Sequence, residues 1–93
     1  MKLLANPLFS PGSILITMIA REVLSAEDVS SALSSHLRGD WGEVCSEDQA
    51  LNNNAVIVGN RILSSYVSTS GTKFWIITEA DRSSTTILLP EEY

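Results

Sequence analysis

Between residues 61 and 90 the chain offers three short β-prone runs, joined by loops too short for anything but a reversal. Residues 62–68 alternate, with Ile62 and Tyr66 on one side and Leu63 and Val67 on the other. Ser70-Gly71 then marks a turn into 73–78 (KFWIIT), and Glu79-Ala-Asp-Arg-Ser83 turns again into 85–89 (TTILL), which Pro90 ends. Parallel neighbours need a crossover of about a dozen residues or more, and neither loop has them. The three runs therefore predict an antiparallel meander, one face of which must be covered by something else.

Helices supply the cover. Ser25-Ala-Glu-Asp28 places a hydroxyl at an N-cap and acids in the first turn, where the helix dipole favours them. Val29, Ala32, Leu33, His36 and Leu37 follow at helical spacing as one apolar stripe, and Gly39 stops it. Ser46-Glu-Asp-Gln49 has the pattern of a capping box, opening a second helix through Val58 with Leu51, Ala55 and Val58 as its stripe and Gly59 as its C-cap. A hairpin competes for this stretch. Asn52, Asn53 and Asn54 are poor helix formers, 55–58 (AVIV) suits a strand, and Gly59-Asn60 suits a tight turn. The capping box favours the helix.

Upstream, residues 13–17 (SILIT) predict a short strand, and Thr17 caps a short helix carrying Ile19, Val23 and Leu24. Residues 1–12 form an extended arm punctuated by Asn6-Pro7 and Pro11-Gly12. The expected fold class is α+β: an N-terminal strand and two or three short helices packed on a three-stranded antiparallel meander, in a single domain over residues 1–93. One core of this size supports about 5 kcal/mol of stability, which a partner or a second copy in a homodimer would raise.

Eleven acids stand against six bases, a net charge of −5. Lys2, Arg21, Arg38, Arg61, Lys73 and Arg82 are scattered singly, so the basic footprint that neutralises phosphates is missing. Direct binding to nucleic acid or to an anionic membrane is not expected. Cys45 has no second cysteine for a disulfide or a metal pair, which suits a reducing, cytoplasmic compartment. The N-terminus is interrupted by Pro7 and Pro11 and lacks the apolar core of a signal peptide; no apolar run reaches the length of a membrane span. No glycine-rich phosphate loop is present, and no cofactor is implied.

Four places hold residues able to do chemistry or recognition. Asp40, Glu43, Glu47 and Asp48 lie within one stretch that contains no base. They can imitate nucleic-acid phosphates toward a basic partner, or Glu47 and Asp48 can simply complement the helix dipole; their spacing is not that of an EF-hand or another metal site. Trp41, between two glycines, either closes the core edge or anchors a partner. His36 is a general base if Asp40 orients it, or a core residue with a backbone partner. Glu79, Asp81 and Arg82 could share acid–base or phosphoryl work, or serve the turn, with Asp81 pairing to Arg82 or to its own backbone. A helix over 46–58 is about 20 Å long. It would set its N-terminal end, with Asp48, near Ser70-Gly71 and away from Glu79 and Asp81, which argues against one shared active site.

Gly39-Asp-Trp-Gly42, Trp75-Ile-Ile-Thr-Glu-Ala-Asp-Arg-Ser83 and Thr85-Thr-Ile-Leu-Leu-Pro-Glu-Glu-Tyr93, with Met1-Lys-Leu-Leu4 and Asn6-Pro-Leu-Phe9, resemble a family of small bacterial proteins common on plasmids and other mobile elements. Members often carry the label of a type I restriction modification subunit. Asn6-Pro-Leu-Phe9 is similar to the Asn-Pro-Pro-Tyr/Phe motif of amino-methyltransferases, but Leu8 replaces the second proline and the glycine-rich cofactor loop is missing. The resemblance implies a shared fold and a mobile-element setting, and it points to His36, Asp40, Trp41, Asp48, Asn52, Glu79, Asp81 and Arg82 as shared positions. The resulting expectation is a non-enzymatic protein-binding module, an acidic inhibitor of a host defence complex (anti-restriction or anti-CRISPR), whose partner is a basic nucleic-acid-handling complex. Its candidate binding residues are Asp40, Trp41, Glu43, Glu47, Asp48, Glu79, Asp81 and Arg82. The alternative is a small hydrolase or metal-dependent nuclease using His36 with Asp40, or Glu79 with Asp81.

Overall fold

The antiparallel meander forms, but a fourth strand joins it from the other end of the chain. In order, the chain runs β1 (Ser13–Ile16), α1 (Met18–Val23), α2 (Ala26–Leu37), α3 (Ser46–Val58), β2 (Ile62–Val67), β3 (Lys73–Thr78), β4 (Ser84–Leu88) and a 3-10 turn over Pro90–Glu92. The computed structural model describes residues 7–93. The first half of the expected arm, including Met1-Lys-Leu-Leu4 and Asn6, lies outside the described residues.

The sheet order is β1-β4-β3-β2. β2 and β3 pair antiparallel from Ile62↔Thr78 to Val67↔Lys73, and β3 and β4 from Trp75↔Leu88 to Thr78↔Thr85. β1 lies parallel to β4, from Ser13↔Ser84 to Ile16↔Ile87. The three-stranded antiparallel sheet of the expectation is thus a four-stranded mixed one. A parallel neighbour needs a long connection, and the whole run from α1 to β3 provides it.

Side chains alternate across the sheet. Ser64, Ile62, Phe74, Ile76, Thr78, Thr85 and Ile87 are buried on the helix side. There they meet Phe9, Leu33, Leu37 and Trp41 in one core. α2 presents the expected stripe, with Ala32, Leu33, His36 and Leu37 buried. Ser25 accepts from the Asp28 amide at its start, and Gly39, at φ 87°, ends it with its N–H on the His36 carbonyl.

α3 forms over the competing hairpin and ends at the expected C-cap, Gly59, but its N-cap differs from the expected one, and of the expected stripe only Ala55 is buried. Its N-cap is Cys45, without a side-chain cap bond; Ser46 is already helical, and Gln49 Nε2 donates to the Val44 carbonyl at 3.3 Å. Cys45 is the last extended residue, at φ −69° and ψ 165°, so the Ser46 hydroxyl sits one position too late to cap and the capping box does not form. Asn52 and Ala55 face inward while Leu51 and Val58 are exposed. The asparagines that weigh against a helix by propensity are used in tertiary bonds. Asn52 donates to the Leu63 carbonyl at 2.8 Å and accepts from the Leu63 amide at 3.3 Å, sealing the outer edge of β2, and Asn53 accepts from Trp41 Nε1 at 2.9 Å.

Gly42 bridges to Ser65 in the same edge. Its φ is 73°, and a Cβ there would collide with the Ser65 carbonyl and the Tyr66 ring. Gly42→Ala is therefore expected to cost about 3 kcal/mol, the sum of left-handed strain and a backbone clash. Urea denaturation would measure it, and a cost below about 1 kcal/mol would show that this contact is not as tight as the geometry states.

Candidate functional site

His36 is the most chemically capable side chain in the protein and has no exposed surface. α2 presses it onto the sheet between Ser64 on β2 and Thr78 on β3. Nδ1 lies 2.6 Å from Ser64 Oγ and Nε2 lies 2.8 Å from Thr78 Oγ1. Thr78 Oγ1 is 2.8 Å from Thr85 Oγ1, and Thr85 donates to the Pro11 carbonyl at 2.7 Å. That last bond sets the direction of all the others. A carbonyl only accepts, so Thr85 spends its proton there and accepts from Thr78; Thr78 then accepts from His36 Nε2–H, and Nδ1 accepts from Ser64. The ring is the neutral Nε2–H tautomer. Burial first, and the nearby Arg82 charge second, pull its pKa from 6.5 to about 3. Phe9 and Trp41 pack edge-on to the imidazole at 5.3 and 5.8 Å.

The His36–Asp40 pairing of the hydrolase expectation does not form. Both ring nitrogens are occupied by hydroxyls, and Asp40 Oδ1 instead accepts from the Gly42 amide at 3.3 Å. Gly39 breaks α2 between the two residues and turns Asp40 outward. Trp41 is 3% exposed and stacks on Phe9 at 6.2 Å, so it closes the core and offers no surface anchor to a partner.

Asp40, Glu43, Glu47 and Asp48 are all exposed. The segment carrying them is held firmly: Tyr66 Oη donates to the Asp40 carbonyl at 2.6 Å, and Ser65 binds both the Trp41 carbonyl and the Glu43 amide. Burial raises the Tyr66 pKa to about 12, so that hydroxyl stays a donor. Among the described residues none of the four acids enters an ion pair. Nor do any three His, Cys, Asp or Glu side chains converge there to hold a metal ion.

In the turn between β3 and β4, Glu79 and Asp81 are engaged by separate partners. Glu79 Oε1 lies 3.6 Å from Arg61 Nε, while the Ser83 hydroxyl first and the Ser83 amide second, at 2.9 Å from Asp81 Oδ1, hold Asp81 below the usual carboxylate range. Arg61 also donates to Tyr93 Oη and, with Asp48 and Leu51, lines a shallow depression of about 240 Å³. One guanidinium thus bridges part of the gap expected between Asp48 and Glu79. Among the described residues Arg82 pairs with no acid. Its guanidinium donates to the carbonyls of Asn60 at 2.7 Å, Ala55 at 2.8 Å and Glu79 at 3.1 Å, and lies over the Phe9 ring. These bonds make it a clamp on the C-terminus of α3.

Several residues that hold this arrangement escaped the reading of the sequence. Ser64, Thr78 and Thr85 stand on the inward phase of otherwise apolar strands, and that polar break in alternation was the available signal. Asp28 accepts from the Thr69 amide and hydroxyl, which keep its pKa low, and Glu92 accepts from Thr17 and the Leu89 amide. Both contacts join distant parts of the chain, so nothing local announces them.

Compared with protein-family models, curated proteins and solved structures, the chain matches none of them.

Proposed function

We propose that this chain is a non-enzymatic protein-binding module whose recognition surface is the acidic segment carrying Asp40, Glu43, Glu47 and Asp48. The observation that carries the reading is their combination of exposure, freedom from ion pairs and rigid support, beside a histidine network sealed from solvent. Carboxylates held on a fixed frame lose little entropy when they meet a basic groove, and they steer association from a distance. The partner class is a basic nucleic-acid-handling protein, and the mobile-element setting suggested by the sequence makes a host defence complex the biological target. The chain then acts as an inhibitor by occupying the groove that nucleic acid would fill.

The test is plasmid establishment in a host carrying an active restriction or CRISPR system. Expression of the protein should raise transformation at least tenfold. Glu43→Lys/Glu47→Lys/Asp48→Lys should abolish the gain while leaving the melting temperature near that of the parent. Equal protection by the charge-reversed protein, or none by the parent across such hosts, would end the proposal.

A further inference from the structure

β1 is an edge strand whose four residues are all exposed, and three of them are Ile14, Leu15 and Ile16. The register fixes which way its peptide groups point. Ser13 and Thr17 direct their amides to the carbonyls of Ser83 and Ile87, so Ile14 and Ile16 direct theirs away from β4. Among the described residues nothing pairs with that outer row. Natural edges are commonly guarded by charge, proline or a covering element. The opposite edge of this sheet, β2, is covered by Asn52 and the Trp41–Glu43 segment, whereas among the described residues β1 carries none of these devices.

The apolar surface continues past the strand. Met18 is 77% exposed and Ile19 51%. Together with Ile14, Leu15 and Ile16 they leave on the order of 500 Å² uncovered on one copy, so fully covering two such surfaces removes on the order of 1,000 Å², the lower limit for a specific interface. Charge selects the occupant. The protein carries −5 overall, yet from Pro7 to Ser25 its ionised side chains are one base and one acid, Arg21 and Glu22. Glu92 reaches Thr17 from the C-terminal turn but is tied there by the Thr17 hydroxyl and the Leu89 amide, so two acidic copies meet here with little repulsion.

We infer that the protein is a homodimer in which β1 of one copy pairs antiparallel with β1 of a second, making one eight-stranded sheet. Outward-facing residues must oppose outward-facing residues, and the register that uses both sets Ile14 against Ile16 of the second copy. Leu15 then faces Leu15 across the two-fold axis as a non-hydrogen-bonded pair, with Cα atoms about 4.5 Å apart. The acidic segments beside β2 lie at the two far ends, so the dimer presents both of them outward. This inference does not depend on what those segments bind.

Leu15→Cys and Ile16→Cys, each made in Cys45→Ser, test both the state and the register. Light scattering should give twice the chain mass, and Leu15→Cys should oxidise to a covalent dimer because its Cα separation suits a disulfide. Ile16→Cys, opposite Ile14, should not. Ile14→Pro removes one outward amide without touching the ladder to β4, and should give a folded monomer. A monomer at every concentration, or Leu15→Cys cross-linking no faster than Ile16→Cys, would overturn the inference. A foreign strand as the true occupant of this edge would give the first of those results.

Discussion

Replacing His36 with alanine is expected to cost about 4 kcal/mol, close to the whole stability of a domain this small. The loss has two sources. A cavity replaces the ring between Phe9 and Trp41, and the hydroxyls of Ser64 and Thr78 lose their imidazole partners in a place water does not reach. His36→Phe should lose nearly as much, because it restores volume and not the bonds. His36→Phe/Ser64→Ala/Thr78→Val should recover much of the deficit, since removing both hydroxyls that bond the imidazole together with it is cheaper than leaving them unpaired, and Thr85 keeps its bond to the Pro11 carbonyl. Urea denaturation followed by circular dichroism measures all three, and a triple variant no better than His36→Phe would show that the network contributes little.

The same network makes stability depend on pH. In the unfolded chain His36 takes up a proton near 6.5; in the folded protein it does so only near 3. Between those values the unfolded state holds one more proton, so stability is complete above about pH 6.5 and falls as the pH is lowered, by about 1.4 kcal/mol per unit. Asp28 and Asp81, both held low, withdraw support in the same direction at still lower pH. Denaturation midpoints between pH 7 and 4.5 should therefore slope downward from the start. A flat profile over that range would mean that the imidazole is already solvated or paired with an acid.

Arg82→Ala should cost about 3 kcal/mol, or 10 to 20 °C in melting temperature. Three charge-assisted bonds vanish at once and leave the carbonyls of Ala55 and Asn60 at the end of α3 without this donor. Arg82 also sits at φ 61°, a left-handed position uncommon for a side chain of this size. Arg82→Gly should accordingly be milder than Arg82→Ala by about 1 kcal/mol, because glycine relieves the strain although it too lacks the fork. Arg82→Lys should recover less than half of the loss, since an ammonium cannot reach carbonyls on both sides. Equal stability of the alanine and glycine variants would contradict this division.

The most distinctive strings of residues show why motif and function are hard to separate in the sequence. Gly39-Asp-Trp-Gly42 contains a helix stop, an aspartate that caps its own turn, a core tryptophan and a glycine fitted against β2. In the Glu79–Ser83 turn, Asp81 closes the loop and Arg82 clamps α3. The final residues hold Thr17 through Glu92 and cover Trp75 with Tyr93. A distinctive string of residues is what a tight junction requires, whether or not anything binds there. The four acids of the proposed recognition surface, by contrast, are exposed and, among the described residues, make no core contact, although the backbone beneath Asp40 and Glu43 is held in place.

From local chemistry alone, the sequence settled α2, the existence of α3 and the three-stranded reversal after residue 61, because periodicity, caps and short loops act over a few residues. It could not settle which faces of α1 and α3 turn inward, since stripes of equal apolarity differ only in what they meet. Nor could it place β1 beside β4, close His36 within hydroxyls or turn Arg82 from a surface charge into a clamp. Those outcomes depend on contacts between residues dozens of positions apart, and the geometry that selects them exists only once the chain has closed on itself.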